Sequence, residues 1–84
     1  MTIAEESRRY FNECKHLVKK GDENTVPYVS GTKNKKSRMY RMAQRYRDEA
    51  DIDFELGVIK QEEYNIEIKA VQLFERMLAN YNVY

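Results

Sequence analysis

The stretch QEEYNIEIKAVQLFERMLANY, residues 61–81, decides the fold of this chain. Its apolar residues recur at helical spacing in two stripes, which lie next to each other on a helical surface. The first stripe is Tyr64, Ile68, Val71, Phe74, Leu78 and Tyr81, and the second is Ile66, Ala70, Leu73 and Met77. Together they make an apolar face wider than a surface helix needs. The stretch therefore predicts a central helix that other helices cover on more than one side.

Two further helices are predicted ahead of it, over residues 3–20 and 35–56. Thr2 and Glu5 have the spacing of a capping box at the start of helix one, and Gly21 suits its end. The predicted buried stripe of helix one is Ile3, Ser7, Tyr10, Phe11, Cys14, Leu17 and Val18, and that of helix two is Met39, Met42, Ala43, Tyr46, Ala50 and Phe54. Because neighbouring helices of small bundles are usually antiparallel, we expect one all-α domain over residues 1–84, an up-down-up three-helix bundle.

The long loop between helices one and two, residues 22–34, has two interpretations. Pro27 and Gly31 interrupt both regular periods, and residues 26–29 are mostly apolar. The loop is either a strap across the bundle or a segment presented for binding. Two readings also stand for the tail, where Tyr81, Val83 and Tyr84 either cap the core or contribute to an interface.

The run LGVIKQEEY, residues 56–64, resembles the helical hairpin of the SHOCT family, in which a Gly-hydrophobic-Ile turn precedes a helix with an acidic start. Where that family usually has a capping Ser or Thr after the Ile, this chain has Lys60. The resemblance covers about a third of the chain at most and implies only the tight turn between helices two and three.

Composition argues against an enzyme and against a membrane protein. The single histidine, His16, lies two residues from the single cysteine, so on a helix the two point to nearly opposite sides and form neither a dyad nor a metal site. No catalytic residue, metal site or cofactor is expected. No apolar run has the roughly 20 residues of a membrane span, and an unpaired cysteine fits a reducing compartment, so we expect a cytoplasmic protein.

Charge is strongly segregated along a chain whose formal net charge is only +1. Residues 15–47 hold ten basic and two acidic side chains, whereas residues 48–67 hold eight acidic side chains and one lysine. In an up-down-up bundle these segments would form a basic pole and an acidic pole, with Glu5 and Glu6 at the acidic one. Helix two then has cations at its start and anions at its end, which its dipole disfavours.

The basic part of helix two is the candidate binding site. Its residues are Lys33, Lys35, Lys36, Arg38, Tyr40, Arg41, Arg45 and Arg47. Because segregated charge orients partners and Tyr and Arg are frequent hot-spot residues, we expect these residues to contact an acidic surface on a protein target. Complementary poles also allow a homodimer.

The expected function is that of a small non-enzymatic protein that docks to a larger machine as an inhibitor or adaptor. Its shortness and its Lys/Glu/Tyr-rich composition resemble the small accessory proteins of phages, which would imply host takeover or anti-defence. The alternative is a DNA- or RNA-binding regulator in which Arg38, Arg41 and Arg45 line up along phosphates. A sequence pI of about 7.8 weakens that alternative, because domains that grip DNA are usually more basic.

Overall fold

A computed structural model describes all residues 1–84 and shows an all-α bundle of three helices. The helices are α1 (Ile3–Lys20), α2 (Lys33–Glu55) and α3 (Gln61–Ala79), and two-residue strands β1 (Ser30–Gly31) and β2 (Asn82–Val83) pair in parallel. The predicted all-α bundle of three helices is confirmed, whereas the strand pair was not predicted. None of the three helices combines the length and apolar composition that crossing a bilayer requires.

α3 is the central helix, as its two stripes predict. The residues of α3 that are buried are Ala70, Val71, Leu73, Phe74, Met77 and Leu78. Against them lie Phe11 of α1 and Tyr46 of α2, whose rings stack 4.4 Å apart and both meet Phe74 edge to face. Such aromatic contacts add about 0.5–1.5 kcal/mol per pair to the free energy gained by burial. The three rings join all three helices in one core.

The helix ends follow from local capping. Thr2 and Glu5 form the predicted capping box, and Gly21 closes α1 with a φ of 79°, a conformation that glycine adopts without strain. α2 begins at Lys33, two residues earlier than predicted, because the Thr32 hydroxyl accepts a hydrogen bond from the Lys35 amide at 3.2 Å.

α3 ends at Ala79, two residues earlier than predicted, because the chain turns at Asn80. The Asn80 side-chain amide donates to the Arg76 carbonyl at 3.0 Å. The turn lets Tyr81 fold back into the core, where it is 7% exposed, and the residues after it pair with β1. Tyr81 therefore belongs to the core, while Val83 and Tyr84 are exposed.

Side-chain contacts fix the direction of α1 relative to the α2–α3 hairpin. Lys15 lies 2.8 Å from Glu67, whereas Phe11, one turn earlier, meets Phe74, so α1 is antiparallel to α3. α2 is also antiparallel to α3, because Phe54 stacks on Tyr64 near the turn and Tyr46 meets Phe74 further back. α1 and α2 consequently advance in the same general direction, and their first turns are neighbours.

The loop between α1 and α2 makes this arrangement possible. It returns along α3, where Glu23 lies 3.5 Å from Lys69 and its carbonyl accepts from Arg76, and it then pairs with β2. Val29 is buried and Val26 and Pro27 are half-buried, so the strap interpretation describes most of the loop. Tyr28 is the exception, being 71% exposed.

Candidate functional site

The two charged poles predicted from the sequence form only in part. The prediction had α1 antiparallel to α2, whereas α1 runs in the same direction as α2 and opposite to α3. Glu6, predicted at the acidic pole, lies 2.6 Å from Lys35 at the start of α2, and this hydrogen bond raises the pKa of Lys35. Lys15, predicted at the basic pole, lies among the acids of α3. The charges of α1 therefore neutralise parts of both predicted poles.

The structure separates the eight candidate binding residues into three groups. Lys35 and Arg47 are held by carboxylates, Lys35 by Glu6 and Arg47 by Glu75 at 3.0 Å. Arg38, Arg41 and Arg45 come together along one groove. Lys33, Lys36 and Tyr40 do not line that groove, and the helical period of 3.6 residues puts Tyr40 on another flank of α2.

The groove lies between the first residue of α1 and the first half of α2. It has a volume of about 470 Å³, and its walls are the exposed side chains of Arg38, Arg41 and Arg45. Ile3 and Met42, both half-buried, form its apolar floor. Helical spacing groups the three arginines in the sequence but does not point to Ile3, because the contact between α1 and α2 that brings it there is not a property of either helix alone.

None of the three groove arginines forms an ion pair within the chain. The six ion pairs of the molecule engage Arg8, Lys15, Lys35, Arg47 and Lys69 on the basic side. Three guanidinium groups over an apolar floor suit an anionic group with an apolar body beside it, because guanidinium binds carboxylate or phosphate bidentately and the floor takes apolar contact.

A second unusual surface is the acidic tip, defined as residues 48–63 at the end of the α2–α3 hairpin. The residues from 51 to 63 are all exposed except Asp53, Ile59 and Glu63, which are half-buried. Ile52, Leu56 and Val58 are 53%, 73% and 67% exposed, and acidic side chains surround them. Phe54, predicted in the core, is 37% exposed, because its ring stacks 4.6 Å from Tyr64 of the same hairpin, outside the core that joins the three helices.

Groups that could carry chemistry are few. Cys14 is fully buried, and burial raises the pKa of its thiol to about 12, so the reactive thiolate is absent at neutral pH. His16 is exposed on the other side of α1, as the spacing of the two residues predicts. No three His, Cys, Asp or Glu side chains are grouped to hold a metal ion. A smaller cavity of about 150 Å³ beside Glu23, Lys69 and Arg76 belongs to the loop contacts already described.

Comparisons of the chain with protein-family models, with curated proteins and with solved structures find no match.

Proposed function

We propose that the protein docks to a larger protein assembly through the arginine-lined groove and modulates it as an inhibitor or adaptor. The observation that carries this proposal is the convergence of Arg38, Arg41 and Arg45, all free of intrachain carboxylates, over the apolar floor of Ile3 and Met42. The groove fits an acidic segment of the target that also presents an apolar side chain.

The charge of α2 supports a binding role. Its first turn contains lysines and no acid, and its last turn contains acids and no base, so the charges at both ends oppose the helix dipole. Each of these charges costs about 0.3–1 kcal/mol at low salt. An oppositely charged partner would offset this cost in the complex, and a rim of arginines would speed and orient the encounter.

Nucleic acid is the second candidate partner, because the same three arginines follow one face of α2 at spacings of three and four residues. Two features favour a protein instead. The floor of Ile3 and Met42 offers apolar contact that a phosphate backbone does not use, and Asp48 and Glu49 continue the helix directly beyond Arg45 and Arg47 with charges that repel phosphates.

The test is a pull-down from a lysate of the source cells with and without nuclease. The parent is compared with the triple variant Arg38→Gln, Arg41→Gln, Arg45→Gln and with a control triple variant, Lys19→Gln, Lys20→Gln, Lys60→Gln. Both variants lose three charges, and all six side chains are exposed. We expect the parent to capture one protein in stoichiometric amount, with or without nuclease. The control variant should capture the same amount, and the groove variant at least tenfold less.

Two results would overturn the docking proposal. Equal capture by the groove variant and the control would show that the groove is not the site. Capture that disappears with nuclease would show that nucleic acid is the partner. In that case the groove variant should also reduce the slope of the logarithm of the binding constant against the logarithm of salt concentration by about two to three.

A further inference from the structure

We propose that a second copy of this chain occupies the groove, so that the free protein is an antiparallel homodimer paired along α2. The inference deepens the proposed function by naming an occupant for the groove. It rests on that function only for one consequence, the competition between the second copy and a target.

The pairing surface is a stripe along α2 and its C-cap residue, at the alternating steps of four and three that helix pairs use. The stripe is Arg38, Met42, Arg45, Glu49, Ile52 and Leu56. It spans about 27 Å along the helix at 1.5 Å per residue. Its first half borders the groove, and its second half runs into the acidic tip, where more than half of the Ile52 and Leu56 side chains is exposed.

From Met42 to Ile52, the order of side chains along this stripe is complementary to its own reverse. When two copies run antiparallel about a twofold axis near residue 47, Arg45 of one meets Glu49 of the other and Met42 meets Ile52. Further out, Arg38 meets Leu56. On the flank Arg41 meets Glu55 twice, and Asp48 meets its own copy once at the axis, a like-charge contact that the two opposite-charge contacts outnumber. Every contact between different residues occurs twice, which is the rule for a twofold interface.

Ile52 of the second copy is the side chain that fits the groove. It is 53% exposed, and acids precede and follow it along α2. Opposite Met42 it would rest on the floor formed by Ile3 and Met42, while Glu49 and Glu55 of the same copy face Arg45 and Arg41 of the groove. The chain thus contains the kind of segment that the groove was inferred to bind, an apolar side chain among carboxylates.

Charge also selects the direction of pairing. A parallel arrangement would place Arg38 and Arg45 against their own copies and Glu49 against Glu49, and like charges in contact are strongly unfavourable. Glu49 remains available in the antiparallel arrangement although it contacts Arg8 at 3.3 Å, because its side chain is 58% exposed. A carboxylate can accept from two guanidinium groups at once.

The dimer would cover the arginines that the proposed function assigns to a target. A target with an acidic segment must then displace the second copy, so binding of the target and self-association exclude each other. The concentration of the chain thereby sets how much of the groove is free.

The experiment measures molar mass by size-exclusion chromatography with light scattering, and the dissociation constant by sedimentation velocity. The parent should reach twice its chain mass of 10.1 kDa at tens of micromolar. Arg45→Glu alone and Glu49→Arg alone should each raise the dissociation constant at least tenfold, because each places two like-charged contacts in the dimer. An equimolar mixture of the two variants should regain the dimer mass, because only the mixed pair restores both opposite-charge contacts.

The control is Lys19→Glu, which makes the same charge reversal as Arg45→Glu at an exposed position outside the stripe. It should dimerise like the parent, and circular dichroism should show that all variants stay helical. Ile52→Asp should also give a monomer.

A parent that stays monomeric at 200 μM, or single variants that dimerise like the parent, would overturn the dimer, and so would a mixture that stays monomeric. None of these results bears on the pull-down, which reports on a target. Conversely, a groove variant that still captures the target would defeat the docking proposal and leave the dimer measurements standing.

Discussion

The ammonium group of Lys35 lies 2.6 Å from a carboxylate oxygen of Glu6, and each residue belongs to the first turn of its helix. This contact can form only if α1 and α2 start at the same end of the bundle. It also pairs one cation of the basic segment 33–47, in which Arg47 is paired with Glu75, whereas Lys33, Lys36 and the three groove arginines form no ion pair.

Glu6→Gln should lower the free energy of unfolding by about 1–2 kcal/mol, measured by urea unfolding at pH 7. Both side chains of the pair are about a fifth exposed, so the interaction lies between a surface pair and a buried one. The control is Glu13→Gln, which removes an exposed acid without an ion pair and should change stability by less than about 0.5 kcal/mol. Equal effects in the two variants would contradict the Lys35–Glu6 contact.

Gly31→Ala should destabilise the protein by about 2–3 kcal/mol. Gly31 has a φ of 153°, which side chains rarely adopt, and a Cβ there would collide with the hydroxyl of Tyr81. That hydroxyl donates a hydrogen bond to the Thr32 carbonyl at 2.9 Å, so Tyr81→Phe alone should cost about 1 kcal/mol.

The double variant of Gly31 and Tyr81 gives the sharper measurement. Removing the hydroxyl relieves the collision, so the double variant should be about 1 kcal/mol more stable than the sum of the two single effects. Strict additivity in urea unfolding would show that the two residues are not in contact.

Tyr46→Phe should raise the free energy of unfolding by about 1 kcal/mol, because the buried Tyr46 hydroxyl has no hydrogen-bond partner. Ser7→Ala should act in the same direction, since the Ser7 hydroxyl is also buried without a partner and alanine favours a helix. The matched control is Tyr64→Phe, which removes a hydroxyl that donates to Asp51 at 2.6 Å and should therefore give no gain. A loss of stability in Tyr46→Phe would reveal a partner for its hydroxyl.

Stability should fall as the pH rises above about 9. Burial raises the pKa of Cys14 from 9.0 to about 12, so in this window the unfolded chain gives up the thiol proton and the folded chain keeps it. Because the folded state then binds more protons, the contribution of Cys14 is complete below pH 9 and is lost as the pH rises towards 12. Burial of the hydroxyls of Tyr46 and Tyr81 raises their pKa values and adds to the same trend.

The measurement is thermal unfolding from pH 7 to 11 for the parent and for Cys14→Ala. The variant has a lower stability throughout but should lose less of it between pH 9 and 11. A thiol reagent at pH 8 should react with the folded parent only after unfolding, and fast labelling of the folded protein would contradict the burial of Cys14.

Much of the fold could be predicted from helical periodicity and capping residues. The stripes of residues 61–81 predicted the central helix, Thr2 and Glu5 predicted the start of α1, and the buried stripe of α1 is confirmed at Ser7, Phe11, Cys14 and Val18. The earlier start of α2 was also readable, because Thr32 precedes Lys33 as a capping residue. These features depend on neighbours within about four residues, which is the range over which helical periodicity and capping act.

The candidate site was only half predictable. The spacing of Arg38, Arg41 and Arg45 put them on one face, but nothing in the sequence near them names Ile3 as the floor of their groove, or Glu6 and Glu75 as the residues that hold Lys35 and Arg47. These partners lie 28 or more residues away along the chain. The short pairing of β1 with β2 was hidden for the same reason.

By itself, the sequence determined three helices, their apolar faces and the order of charge along α2. Only the tertiary structure decided the direction of α1, and with it which charges neutralise one another and which stay free. The physical reason is the reach of the loop between α1 and α2. Its 12 residues can span about 40 Å when extended, which exceeds the roughly 28 Å length of α3, so the loop can connect α1 to α2 at either end of the bundle. The direction of α1 is therefore set by packing around Phe74 and by the Lys35–Glu6 and Lys15–Glu67 contacts. These contacts form only when the helices pack together.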